Sequence, residues 1–79
     1  MSRLRDISGK HLIKIFNNFG FSIIGQKGSH VKMSRIYHGV VQTLVIPNHI
    51  SISKGTLKTI YSQALTYIPE GKLKKFFYS

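Results

Sequence analysis

Gln26-Lys27-Gly28-Ser29-His30-Val31-Lys32-Met33 reads as a tight turn running into a strand. Gly28 accepts a backbone conformation that other residues resist. Beyond Ser29 the residues alternate, so Val31 and Met33 point to one face of the strand and His30, Lys32 and Ser34 to the other. A histidine is thereby placed at the entrance of the strand, on the polar face of a sheet, with a lysine to either side.

The neighbouring segments supply the rest of that sheet. Upstream, residues 21–26 are short, β-branched and aromatic, which predicts a first strand; the second runs from Ser29 to about Tyr37. His38-Gly39 is another turn signal, and Val40-Val41-Gln42-Thr43-Leu44-Val45-Ile46 is the clearest strand of the chain. Pro47 closes it, because proline cannot donate to a sheet ladder. Short turns between consecutive strands predict an antiparallel meander.

A helix flanks the sheet on each side. Ser8 is a good N-cap for the first, whose apolar residues Leu12, Ile15, Phe16 and Phe19 fall at helical spacing before Gly20 ends it. Ser53 caps the second, with Leu57, Ile60, Tyr61, Ala64, Leu65 and Ile68 on one side and Pro69 and Gly71 as stops. Both helices must cover one sheet face, since nothing else can bury it, and the other face stays open to solvent. The expected fold is α+β, helix–three-stranded antiparallel sheet–helix, as in a double-stranded-RNA-binding domain. Residues 1–79 are read as one domain with a compact part at about 7–68. The lead-in up to Ile7 is expected to fray, and the basic-aromatic tail at 69–79 to be loosely attached.

Charge narrows the function. Twelve Lys and Arg face only Asp6 and Glu70, a formal net charge of +10. Such self-repulsion costs stability and points to an anionic partner: nucleic acid first, an acidic protein second, an anionic membrane surface third. Two acids far apart in sequence exclude a carboxylate-built two-metal nuclease site and a glycosidase acid pair. There is no cysteine for a disulfide or a thiolate zinc site, and the four histidines show no ligand pair on one element. No metal or other cofactor is expected. No apolar run approaches the ~20 residues of a membrane span. The first residues lack a signal-peptide core, and a cytoplasmic protein is the expectation.

Several segments carry a family pattern: Ser8-Gly9-Lys10, Phe19-Gly20-Phe21, Gln26-Lys27-Gly28-Ser29-His30, residues 43–49, and Lys54-Gly55-Thr56-Leu57-Lys58-Thr59-Ile60. With these pieces, in this order, the chain resembles the HicA-type (YcfA-like) mRNA interferase toxins of bacterial toxin–antitoxin systems. Residues 34–39 and the tail after Ile68 carry none of the pattern. The resemblance implies a fold similar to a double-stranded-RNA-binding domain and cleavage of mRNA. It also implies a catalytic role for the histidine of the Gly-Ser-His motif, here His30, and a HicB-type antitoxin that covers it.

The residues suit that chemistry. RNA carries its own nucleophile, the 2′-hydroxyl, so a cleaving enzyme needs a base, an acid and positive charge near the phosphate. Histidine titrates at about 6.5 in its unperturbed state, near neutral pH, which suits proton transfer. His30 is therefore the candidate base or acid, with Lys27 and Lys32 as phosphate contacts and Ser29 or the amides near Gly28 as further donors. His49 is a candidate second proton carrier. Lys54 and Lys58 are phosphate candidates because the amides at a helix N-terminus also favour anions. The alternative is a non-catalytic RNA-binding module that reads shape and phosphates with its lysines and has no need of His30.

Overall fold

The computed structural model describes residues 2–79; Met1, the first residue of the lead-in, lies outside the described residues. The element order is α1 (Gly9–Asn18), β1 (Ser22–Lys27), β2 (His30–Tyr37), β3 (Val40–Pro47), α2 (Lys54–Leu65) and α3 (Glu70–Phe77). The strands form one antiparallel sheet in the order β1-β2-β3. The expected helix–sheet–helix arrangement is present, and a third helix is added to it.

Each helix is delimited by its own residues. The Ser8 side chain accepts a hydrogen bond from the His11 amide at 3.1 Å, which satisfies one of the free N–H groups of the first turn. At the other end, Phe21 N–H donates to Phe16 O and Gly20 N–H to Asn17 O, both at 3.0 Å, with Gly20 in the left-handed region at φ 91°. These two bonds make a Schellman cap, and the apolar contact that accompanies such caps is the edge-on pair Phe16–Phe21, ring centroids 6.0 Å apart. One local motif thus ends α1, turns the chain and seats two core rings. Ser53 repeats the N-cap at α2, accepting from Thr56 N–H.

The alternation in β2 sorts its side chains as the sequence requires. Val31 and Met33 are buried with Leu44 and Ile46 of β3 beneath Leu12, Phe16, Leu57, Ile60 and Ala64, while His30 and Lys32 lie on the open face. β2 and β3 pair without interruption from His30↔Pro47 to Tyr37↔Val40, around a turn in which His38 and Gly39 both have positive φ. β1 is less regular. Its register shifts between Ile23 and Gly25, and all six of its residues are exposed, so it extends the sheet beyond the helical cover.

Residues 69–79 are not the loosely attached tail expected, and the compact part does not stop at 68. Glu70–Phe77 is a helix, with Leu73 and Phe77 fully buried. Phe77 lies 6.2 Å from Phe16 and 5.1 Å from Tyr61 between ring centroids. The lead-in is tied down with it. Arg3 and Ser79 exchange two backbone hydrogen bonds at 2.9 Å, and Arg5 N–H donates to Phe77 O at 2.7 Å. Tyr61 donates to Glu70 at 3.0 Å, and burial together with that carboxylate pushes its phenol up to about 12.

Arg35, half-buried, is the main polar tie between the helices and the sheet, and nothing in the sequence pattern marks it. On the inner face of β2, it donates to Gln42 Oε1 at 2.6 Å, Phe19 O at 2.7 Å and Tyr67 O at 3.0 Å. Its guanidinium also lies over the rings of Phe21 and Tyr37, at 4.7 and 4.5 Å. It thereby binds the C-terminal ends of α1 and α2 to the sheet. Charged hydrogen bonds to three acceptors, with added cation–π attraction, make this side chain worth roughly 3 kcal/mol. Urea unfolding of Arg35→Ala is expected to show that loss. Arg35→Lys should recover little of it, because an ammonium cannot reproduce the planar fork.

Candidate active site

The site is assembled at the end of the sheet where β1 turns into β2. Gly28 takes φ 58° at the turn, and the Gln26 side-chain amide donates to Gly28 O at 3.0 Å, which holds the loop in shape. Lys27 and His30 are direct cross-strand partners, and Lys32 follows His30 two residues on along the same face. His30, Lys27 and Lys32 are all exposed.

His30 also pairs with Pro47 across the β2–β3 ladder, which brings the connector after β3 alongside. Asn48 N–H donates to Ser29 O at 2.7 Å, and the His49 ring nitrogen Nε2 lies 3.0 Å from Ser29 Oγ. Thus His49, nineteen positions away in sequence, is hydrogen-bonded to the residue that precedes His30. The connector is held from below as well: Gly9 N–H donates to His49 O at 2.8 Å. There is no space for a side chain at Gly9, since a Cβ would stand 2.4 Å from Pro47 O and 2.5 Å from Asn48 Cα.

His30 and His49 line one groove of about 530 Å³ between the outer face of β3 and α2. Thr56, Thr59 and Gln63 of α2 form the far wall, and Val45 and Pro47 of β3 the near one. These α2 residues fall at helical spacing on one face, an uncharged polar stripe whose 56, 59, 63 spacing the sequence displays.

The lysines of α2 lie elsewhere. Lys54 and Lys58, four positions apart, occupy the side of the helix turned away from Thr56, Thr59 and Gln63. Lys54 is occupied: its Nζ is 2.8 Å from Asp6 Oδ1 and donates to Leu4 O at 2.8 Å. That ammonium holds the Asp6 carboxyl below its usual range. Lys54 and Lys58 thus stand on the side of α2 away from the groove, with Lys54 in an exposed pair with Asp6. The sequence has only two acidic side chains. One is held by Lys54 and the other accepts from Tyr61. The positive charge around His30 has no carboxylate of this chain to offset it.

These features define a small, strongly basic α+β domain whose open sheet face carries a histidine between lysines, at the mouth of a groove. The model of one protein family, described as the HicA toxin of bacterial toxin-antitoxin systems, matches residues 9–65, and the chain belongs to that family. It is accordingly the toxin of a toxin–antitoxin system, with a cognate antitoxin as partner. No curated protein and no solved structure matches the chain. Among the described residues, no helix is long and apolar enough to cross a membrane.

Proposed function

We propose that the protein is a metal-independent endoribonuclease, an mRNA interferase, with His30 as its catalytic residue and a HicB-type antitoxin as its inhibitor. The observation that carries this is the setting of His30: an exposed imidazole between Lys27 and Lys32, opening onto a groove that it shares with His49. In the proposed reaction the 2′-hydroxyl attacks the adjacent phosphorus and gives its proton to His30. The P–O5′ bond breaks, and the leaving oxygen takes a proton from His49 or from water. Lys27 and Lys32 stabilise the charge on the phosphate oxygens, with the Ser29 hydroxyl or the amides near Gly28 as additional donors. Lys54 and Lys58, on the side of α2 away from the groove, are left to contact phosphates farther along the strand.

The antitoxin follows from the electrostatics. A partner presenting carboxylates to the His30 face is steered by the +10 charge and covers the site in the same event. Association is then fast, salt-sensitive and inhibitory, and it takes place in the cytoplasm, where mRNA is found.

The experiment is cleavage of a defined RNA in excess chelator, beside the same strand with deoxyribose throughout. The expected products carry a 2′,3′-cyclic phosphate and a 5′-hydroxyl, and the all-deoxy strand is spared. Comparable cleavage of the deoxy strand would falsify the mechanism, because that strand lacks the nucleophile.

A further inference from the structure

We propose that the groove between β3 and α2 is a nucleobase pocket, in which the Gln63 side chain reads one base of single-stranded RNA next to the phosphate attacked at His30. This rests on the ribonuclease function proposed above and adds to it where substrate preference resides.

The distribution of charge is the first support. The chain has twelve Lys and Arg, yet none lines this groove, and no acid does either. The groove continues past Gln63 into a second depression of about 340 Å³, bordered by Thr43, Thr66 and Tyr67, which is also free of charged residues. The cations of the site flank the groove without entering it: Lys27 is on β1, across His30 from α2, and Lys32 is on β2, paired with Val45 of the near wall. A nucleotide has the same two-sided character, with an anionic backbone and an uncharged flat base. With its phosphate at Lys27, His30 and Lys32, its base enters the groove. A volume of about 530 Å³ falls within the ~300–1,000 Å³ of small-molecule sites.

Of the polar side chains lining the groove, those of His30, Ser51 and Gln63 make no hydrogen bond among the described residues, and of these only Gln63 carries an amide. Ser53 Oγ accepts from Thr56 N–H and donates to Thr56 Oγ1 at 2.9 Å. Thr59 donates to Gly55 O at 3.1 Å, and His49 is engaged with Ser29. The Gln63 amide makes no hydrogen bond among the described residues, although Gln63 borders both depressions. A free primary amide offers a donor and an acceptor side by side, the pair needed to match a base edge. Val45 and Pro47 on one wall and Ile60 on the other give the apolar surface against which the base lies. Bases are accessible to such a pocket only when unstacked, which makes single-stranded RNA the substrate class.

The test uses the full-length protein and an RNA pool with a randomised single-stranded segment, with cleavage positions read by sequencing the 5′-hydroxyl ends. Wild type, Gln63→Ala, Gln63→Glu and His30→Ala are compared. In addition, His30→Ala is crosslinked to 4-thiouridine-containing RNA and the modified peptides are identified. The expected result is that Gln63→Ala narrows the rate ratio between the best and worst base by about fivefold or more. Gln63→Glu, which only accepts, changes which base is favoured. Crosslinks are expected on the α2 stretch from Thr56 to Gln63. If wild type cleaves with a preference that both Gln63 variants retain, and crosslinks fall outside the groove, the pocket is refuted and the ribonuclease stands. If wild type does not cleave, the ribonuclease falls. Crosslinks within the groove then still support a base pocket, now of a binding module, and crosslinks elsewhere refute it.

Discussion

His30→Ala is expected to reduce RNA cleavage by about 10²- to 10⁴-fold, the range in which a positioned acid–base group contributes. Fold stability should move by less than about 0.5 kcal/mol, because the ring is exposed and lies outside the packed core. The separation of these two effects is the informative part. A loss of activity without a shift in the urea midpoint assigns His30 to the chemistry. RNA affinity, measured with a strand that has a single 2′-deoxy sugar at the cleavage position, should stay close to wild type, since Lys27 and Lys32 remain. Growth arrest on expression of the variant should disappear as well. An His30→Ala protein that cuts RNA at the wild-type rate removes this residue from the mechanism, and one that still arrests growth without cutting favours a binding module.

Gly9→Ala is expected to disturb the scaffold and the site together. Its Cβ would stand 2.4 Å from Pro47 O, 2.5 Å from Asn48 Cα and 2.8 Å from His49 N. All three are backbone atoms of the connector, so no side-chain rotation relieves the overlap. The connector is also tied to Ser29 and to Gly9 itself, so either it moves away or α1 does. Forcing a methyl into such a place costs about 3 kcal/mol, the upper end for overpacking. Because the connector carries His49 and meets the residue before His30, catalysis should fall along with stability, even at temperatures where the variant is folded. Gly55→Ala, with nothing within 4 Å of the added carbon, is the control. Equal unfolding midpoints for Gly9→Ala and wild type would show that the close approach is not rigid.

Periodicity and capping residues made most of the architecture legible. Alternation in β2 separates Val31 and Met33 from His30 and Lys32, and burial follows that division. Ser8, Gly20 and Ser53 mark helix ends by hydrogen bonds made within a few residues. Signals of this kind are local, and a sequence displays them directly. α3 was hidden by two residues with opposite meanings in different places. Pro69 and Gly71 read as stops for α2, but Pro69 is the N-cap of the next helix, where its missing N–H costs nothing. The spacing of Leu73, Phe76 and Phe77 was already helical.

The candidate site divides in the same way. A turn and a strand entrance are enough to place Lys27, Gly28, Ser29, His30 and Lys32 together, since they are neighbours along the chain. The hydrogen bond between His49 and Ser29, the uncharged groove along α2, the capture of Lys54 by Asp6 and the reach of Arg35 to Phe19 and Tyr67 join distant segments. Nothing in local spacing records which distant segments meet. That depends on how the helices settle on the sheet, and a rotation of α2 by half a turn would have put its lysines, in place of Gln63, beside His30.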